Sequence, residues 1–322
     1  MIIDEKIVNL YNFESKLPPQ RYYILNAIEE NKTLNVGERI IDELIKMDSK
    51  KKTTLIAIGG GIVQDLTCFI ASILYRGIDW VLVPTTLLAQ TDSCIGSKSS
   101  INYKKYKNLI GTFYPPSEIV NCMQFLKTLS KRDYFSGLGE IVKIQLMISK
   151  SNFYDFKENL DKIIDRDYTE LLRFIKRTLE YKKKLIELDE FDTGIRNTLN
   201  FGHTFGHAIE SATHYYVPHG QAVSIGILIA NRISIQQRLI DNMYEMEIQN
   251  CIQKIISPEY QISSVYNVDL ILDSMKMDKK FTGSHNCILL TESNGAKMYS
   301  EIDENLIRTA MNYVFKDIFH QN

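Results

Sequence analysis

The pattern of apolar and polar positions changes character once along the chain. Residues 53–58, Thr-Thr-Leu-Ile-Ala-Ile, are a short apolar run that predicts a buried strand. Gly59-Gly60-Gly61 then turns the chain, and apolar positions from Ile62 to Tyr75 recur at helical spacing until Gly77 stops them. Residues 80–83, Trp-Val-Leu-Val, predict a second buried strand; Pro84-Thr85-Thr86 ends it, and another helical pattern begins near Leu87. Strand, glycine turn, helix and strand in that order predict an α/β layered domain with a largely parallel sheet. From about Lys131 the spacing becomes helical almost throughout, predicting helices over 137–150, 152–164, 168–187, 200–213, 220–239 and 241–255. The one strand-like run there is Cys287 to Thr291. The expected organisation is an α/β domain over residues 1–125 and a mostly helical domain over 126–322, with a small ligand in the cleft between them.

Composition narrows the function classes. The chain has 322 residues, 44% hydrophobic and 24% charged, an ordinary balance for a globular protein of about two domains. Its formal net charge of −1 gives no electrostatic reason to expect nucleic acid or a membrane surface as partner. Five scattered cysteines without CxxC spacing argue against disulfides and zinc–thiolate sites and fit a reducing cytoplasm. Asp4, Glu5 and Lys6 interrupt any early apolar run, so no signal peptide is expected, and no stretch approaches the ~20 apolar residues of a membrane helix.

Three groups of residues carry chemistry. In the first, the strand running into Gly59–Gly61 and a helix would expose backbone N–H groups at a helix N-terminus, which suits phosphate; a purely structural tight turn is the plain alternative. Asp65 lies one helical turn on, and Thr85 and Thr86 would reach the same sheet edge, where hydroxyls suit ribose or phosphate. The second group is Arg76, Lys98, Lys107, Asn108, Lys143, Lys182, Arg196 and Asn200, cations and amides beside apolar or glycine-rich stretches. They suit a small substrate bearing carboxylate and phosphate, although each taken singly reads as a surface residue. The third is imidazole-rich. His203 and His207 would share one face of a helix, His219 follows Pro218 and could return to the same place, and Glu140 could add a carboxylate. Two histidines, one glutamate and an open position form a catalytic zinc set, whose positive charge would polarise a bound hydroxyl. The ordinary alternatives are core or surface histidines and a helical Glu140–Lys143 ion pair.

These residues stand in segments that resemble 3-dehydroquinate synthase and the related sugar-phosphate cyclases. The segments are Gly59-Gly-Gly-Ile-Val-Gln-Asp65, Val83-Pro-Thr-Thr-Leu-Leu-Ala-Gln-Thr-Asp92, Lys107-Asn-Leu-Ile-Gly-Thr-Phe113, Ser136-Gly-Leu-Gly-Glu140, Arg196-Asn-Thr-Leu-Asn-Phe-Gly-His-Thr-Phe-Gly-His207 and Asp278-Lys-Lys280. The resemblance implies an N-terminal Rossmann-like NAD-binding domain followed by a mostly helical metal-binding domain. It makes Glu140, His203 and His219 the ligands of a divalent metal, zinc or cobalt, and moves His207 to substrate and proton work. By similarity Asp92, Lys98, Asn108, Lys143, Lys182, Arg196, Asn200 and Lys279 (or Lys280) match substrate-site positions, and Arg76 matches an arginine lent across a homodimer interface. NAD would lie along Gly60, Gly61, Ile62, Val63, Gln64 and Asp65, with Thr85, Thr86, Lys98, Lys107, Phe125, Leu126, Lys127 and Thr128, and with Asp4, Glu29 and Lys32. The implied reaction converts a seven-carbon keto-acid sugar phosphate, 3-deoxy-D-arabino-heptulosonate 7-phosphate, to 3-dehydroquinate with release of phosphate. It runs through transient NAD oxidation, elimination, reduction and intramolecular aldol closure, and the net redox change is zero.

The chain also departs from the family pattern. Residues 2–11 match a strand-then-Asp element that in the family follows an initial hairpin, which is expected to be missing here. Gln64 and Ser97 stand where glycine is common, and Asp192 and Gln221 where glutamate is usual. A glutamate at Gln221 would be expected to orient a ligand histidine. A related cyclase with another substrate, a metal-dependent NAD alcohol dehydrogenase and a non-catalytic descendant are the competing readings.

Overall fold

The computed structural model describes residues 1–15, 18, 21–104, 106–277, 285–292 and 295–320. The chain divides into two compact units, Met1–Ser130 and Lys131–Asn322.

The first unit is built on a five-stranded, all-parallel sheet. Its elements in order are β1 (Ile2–Asp4), α1 (Glu5–Tyr11), β2 (Tyr23–Leu25), α2 (Leu34–Lys46), β3 (Leu55–Gly59), α3 (Gly61–Ile73), β4 (Trp80–Pro84), a hairpin of β5 (Ile101–Tyr103) and β6 (Tyr106–Ile110), and β7 (Glu118–Ile119). The sheet order is β2-β1-β3-β4-β7. After β2 the chain crosses back to the other side of β1, so the order reverses between β1 and β3. In open α/β sheets the crevice beyond the carboxyl ends of the strands at such a reversal is where ligands bind. The two strand ends that meet there are Asp4 and Gly59-Gly60. Helix α2 was not evident from the apolar pattern alone; Thr33 caps it, and Val36, Ile40 and Leu44 supply its buried stripe. Ile3, Ile7, Val8 and Phe125 form one core cluster, so the chain up to Thr128 belongs to this unit. The helix expected from Leu87 contains instead a π-helical turn at Ala89–Ser93, closed by the Cys94 N–H donating to the Ala89 carbonyl at 3.1 Å.

The second unit is helical around two largely buried helices. They are α4 (Lys131–Ile148) and α8 (His219–Gln236), with α5 (Lys150–Ile164), α6 (Tyr168–Leu188), α7 (His203–Ala212), α9 (Asn242–Ile255), α10 (Val268–Lys276) and α11 (Glu304–Asn312). Every residue of α4 from Tyr134 to Met147 is buried, as a helix with neighbours on all sides requires. The outer helices are amphipathic; α5 buries Phe153, Phe156, Leu160 and Ile163 on one stripe. The predicted strand near Cys287 is β8 (His285–Thr291), and it pairs antiparallel with β9 (Gly295–Ile302). The sequence reading missed β9, whose positions 297–301 are mostly exposed and carry Lys297 and Glu301. No helix among the described residues is long and apolar enough to cross a membrane.

Candidate metal centre and nucleotide-binding edge

The centre in the helical unit depends on close backbone approach. A Cβ on Gly220 would lie 1.8 Å from the Ser136 carbonyl oxygen, and one on Gly139 would lie 2.1 Å from the Gly220 carbonyl oxygen. Only glycines let α4 and α8 approach this closely, and the Gly220 N–H donates to the Ser136 hydroxyl at 2.9 Å across the contact. Glu140, next to Gly139, therefore meets His219, next to Gly220. His203 arrives by another device. Residues 195–200 form a tight 3₁₀ turn, and Gly202 adopts a left-handed φ of +76°. That residue stops the helix predicted from Asn200, and α7 begins at His203 instead.

Glu140, His203 and His219 converge. The Nε2 atoms of His203 and His219 lie 3.6 and 3.4 Å from Glu140 Oε1. Each ring is turned by its other nitrogen. His203 Nδ1 donates to the Phe201 carbonyl at 3.1 Å, and His219 Nδ1 donates to Glu210 Oε2 at 3.1 Å. Both rings thus aim Nε2 at the same point. Both Glu140 carboxylate oxygens are buried without a hydrogen-bond partner; the neighbouring charge is the Lys143 ammonium, itself buried. Burial would raise the Glu140 carboxyl, but Lys143, His203 and His219 outweigh it and hold the group well below the usual carboxylate range. Burial, with Lys143 beside it, holds His203 neutral. His219 is opposed by burial, yet Glu210 and Glu140 raise it to about 10. Two imidazole nitrogens, that of His219 once a cation displaces its proton, and one orphaned carboxylate oxygen fit zinc or cobalt with a position left open.

Spacing alone pairs His203 with His207, but the structure groups His203 with Glu140 and His219. His207 is exposed one turn on, its ring 5.3 Å from that of His203 and 5.8 Å from that of His219. Gln221 does not orient a histidine. Its amide is fully buried, donating to the Ile255 carbonyl and accepting from the Ser257 N–H, each at 2.8 Å. The orienting carboxylate is Glu210, which the sequence reading missed, although it follows His207 by three residues on the same helix. Lys182 is buried on α6, and Arg196 is buried on the 195–200 turn that packs against α6 and leads to Asn200. Arg196 donates to the Glu190 carbonyl, and Asp189 accepts from the Thr193, Gly194 and Arg196 N–H groups, fixing that loop. Lys279 lies outside the described residues.

The α/β unit brings its own set together at the strand ends. Gly60 caps α3, so the N–H groups of Gly61, Ile62 and Val63 have no intrahelical acceptor and suit an anion. Several of the expected side chains are engaged within the unit. Val63 is core, and Gln64 is buried, its Oε1 accepting from Ser93 Oγ at 2.8 Å. Thr85 is buried, and Thr86 Oγ1 caps Ala89 at 3.1 Å. Asp4 caps α1 through the Lys6 N–H, and burial raises its carboxyl. Phe125 and Leu126 are core residues, so main chain is what they offer, and Thr128 Oγ1 lies 3.0 Å from the Tyr11 hydroxyl, with Lys127 preceding it.

Lys32, Asp65 and Asn108 form one network with Ser100 and Asn102, which no sequence pattern flagged. Lys107 Nζ lies 3.6 Å from Glu29 Oε1, and Asn102 joins Glu29 at 2.8 Å. Asp92 stands on the π-helical turn, Lys98 is exposed with its ammonium 6.0 Å from the Phe113 ring centroid, and Arg76 is exposed at a left-handed turn with φ +61°.

A parallel α/β sheet with a phosphate-type helix start, joined to a helical unit with a two-histidine, one-glutamate centre, defines a nucleotide- and metal-binding enzyme class. Comparison with known proteins narrows the class. The 3-dehydroquinate synthase N-terminal model matches residues 22–136, and the corresponding C-terminal model matches 137–281. The chain belongs to the 3-dehydroquinate synthase family. It is 37% identical over 297 residues to the 3-dehydroquinate synthase of Dictyoglomus turgidum, covering 92% of this chain and 83% of that one. It is 34% identical to that of Clostridium tetani, covering 97% and 84%. Among solved structures, a 2-deoxy-scyllo-inosose synthase complexed with carbaglucose-6-phosphate, NAD+ and Co2+ superposes with a TM-score of 0.84 at 25% identity, covering 98% and 89%.

Proposed function

We propose that this chain converts 3-deoxy-D-arabino-heptulosonate 7-phosphate to 3-dehydroquinate, acting as a phosphate-eliminating carbon–oxygen lyase with NAD and zinc or cobalt. The observation that carries this reading is the Glu140–His203–His219 centre in a chain whose relatives at 34–37% identity bear that enzyme's name. When bound, NAD takes and returns a hydride while the metal polarises the hydroxyl that is oxidised.

The chain's own groups do the rest. Glu140 Oε1 and the Nε2 atoms of His203 and His219 hold the metal, and Glu210 keeps the His219 ring in the right tautomer. His207, exposed beside the two ligand rings, carries protons at its imidazole nitrogens. Lys143, Lys182, Arg196, Asn200, Lys98 and Asn108 hold the carboxylate, phosphate and hydroxyl groups, fixing one conformer of the substrate. Asp92 orients hydroxyls, and Arg76 is lent across a homodimer. Lys182, Arg196 and Asn200 together favour a carboxylated substrate over sugar phosphates that lack the carboxylate. Incubation with NAD, zinc and candidate sugar phosphates tests the reading. Release of phosphate from the seven-carbon keto acid, with no net NADH, is expected; net NADH without phosphate would instead establish an alcohol dehydrogenase.

A further inference from the structure

Gln64 was expected to touch the cofactor, but its side chain is engaged elsewhere. Its backbone N–H donates to the Gly60 carbonyl at 3.0 Å, closing the first turn of α3 directly behind the N–H groups that suit an anion. The residue is 5% exposed, and its side chain crosses to Ser93, the last residue of the π-helical turn. Gln64 Nε2 donates to the Ser93 carbonyl at 2.5 Å, and Gln64 Oε1 accepts from Ser93 Oγ at 2.8 Å. A carbonyl can only accept, so the amide has one orientation and both bonds form together.

The carbonyls of a last helical turn have no partner within the helix, and Gln64 supplies one to Ser93. The start of the same turn is held to β4. Thr86 Oγ1 caps Ala89 at 3.1 Å, and Gln90 Nε2 donates to the Pro84 and Cys122 carbonyls, each at 3.0 Å. A π turn closes over one residue more than an α turn, so the side chains that follow the insertion are rotated from their regular helical directions. Asp92 lies inside that turn, immediately before Ser93. Its aim therefore depends on both ends of the turn being held.

We infer that Gln64 is a positioning residue, which ties the Asp92 turn to the start of α3 and so sets how Asp92 meets a substrate hydroxyl. This rests on the reading of Asp92 given above. The glycine common at this position in the family has no side chain to make either bond. Loss of Gln64 leaves NAD affinity alone, because the anion-facing N–H groups belong to the main chain of α3. It leaves KM nearly alone as well, because other groups hold the carboxylate and phosphate. What falls is kcat, through a misplaced Asp92.

The test combines Gln64→Ala, Asp92→Ala and the double variant, each assayed for NAD affinity by equilibrium titration and for KM and kcat by phosphate release. Ser93→Ala is run alongside, because it removes one of the two bonds without altering α3 should Gln64→Ala fail to fold. Amide hydrogen exchange over residues 89–94 reads the turn without turnover. The expected result is a roughly tenfold lower kcat for Gln64→Ala and for Asp92→Ala, about threefold for Ser93→Ala, and no further loss when Gln64→Ala is added to Asp92→Ala. In Gln64→Ala, NAD affinity and KM stay within about threefold of wild type. Exchange over 89–94 quickens about tenfold in that variant, while exchange over 66–72 of α3 does not change. A tenfold loss of NAD affinity in Gln64→Ala would overturn the inference, as would multiplied kcat losses in the double variant or unchanged exchange over 89–94. If wild type releases no phosphate, the functional reading fails, and the exchange measurement still judges the tie between Gln64 and the turn.

Discussion

Lys143 gives the sharpest handle on the metal centre. In metal-free protein its ammonium is the main compensation for Glu140, a carboxylate with no exposed surface. Lys143→Met keeps the length and removes the charge. Removing one partner of a buried ion pair costs about 3–5 kcal/mol, because the other charge is left uncompensated. For a unit near 200 residues, each kcal/mol lowers Tm by about 2–4 °C, so metal-free Lys143→Met is expected to melt about 6–20 °C below wild type. A divalent cation held by Glu140, His203 and His219 supplies the missing positive charge, so saturating zinc narrows the gap. By linkage the variant binds zinc more tightly, at least tenfold if about 1.4 kcal/mol of the deficit is recovered. Calorimetric melts of metal-free and zinc-loaded samples, with a competitive zinc titration, measure both quantities. An equal gap with and without zinc, or a metal-free gap below about 1 kcal/mol, would refute the assignment of Glu140 to the metal.

Other outcomes follow from the same geometry. His203→Ala is expected to abolish zinc binding in a competitive chelator titration, and Glu210→Gln to weaken it by about 10–100-fold, since the His219 ring then loses its charged anchor. Arg196→Ala is expected to raise KM for the carboxylated substrate far more than for a decarboxylated analogue; equal effects would remove Arg196 as the carboxylate reader. Metal-free stability should peak near pH 6.5. His219, raised to about 10 from 6.5, contributes stability that is complete below 6.5 and lost as pH rises toward 10. His203, held below 6.5, opposes folding at lower pH, where the unfolded chain takes up the proton more readily. Urea titrations across pH measure this, and a stability that keeps rising between pH 7 and 9 would contradict the His219 assignment.

Much of this architecture was legible before the fold was known. The buried runs at 53–58 and 80–83 lie within a residue or two of β3 and β4, because strands buried in a parallel sheet leave a dense apolar signature. Strand β9 and the β5–β6 hairpin were illegible, since their exposed faces carry lysine, glutamate and tyrosine in no regular alternation. The metal centre was only half legible. Histidine spacing pointed to His207, whereas the set of Glu140, His203 and His219 came from the family resemblance, because no local pattern encodes a contact that depends on Gly139 and Gly220 letting two helices approach. Gln221 misled for a related reason. It sits beside His219 in sequence, but a helix sends neighbouring side chains in different directions, and its amide ends in the core at Ile255 and Ser257. Lys32 illustrates a third limit, since its contacts with Asp65, Ser100 and Asn108 depend on a hairpin whose position no local pattern encodes.

The central claim is a redox-neutral cyclisation at a centre held by Glu140, His203 and His219. The most direct measurement follows phosphate and NADH together while the zinc- and NAD-loaded protein turns over the seven-carbon keto-acid phosphate. Continuous phosphate release with no accumulation of NADH is expected, abolished by chelation and restored by zinc. NADH rising in step with turnover, or phosphate release that survives both chelation and His203→Ala, would contradict it.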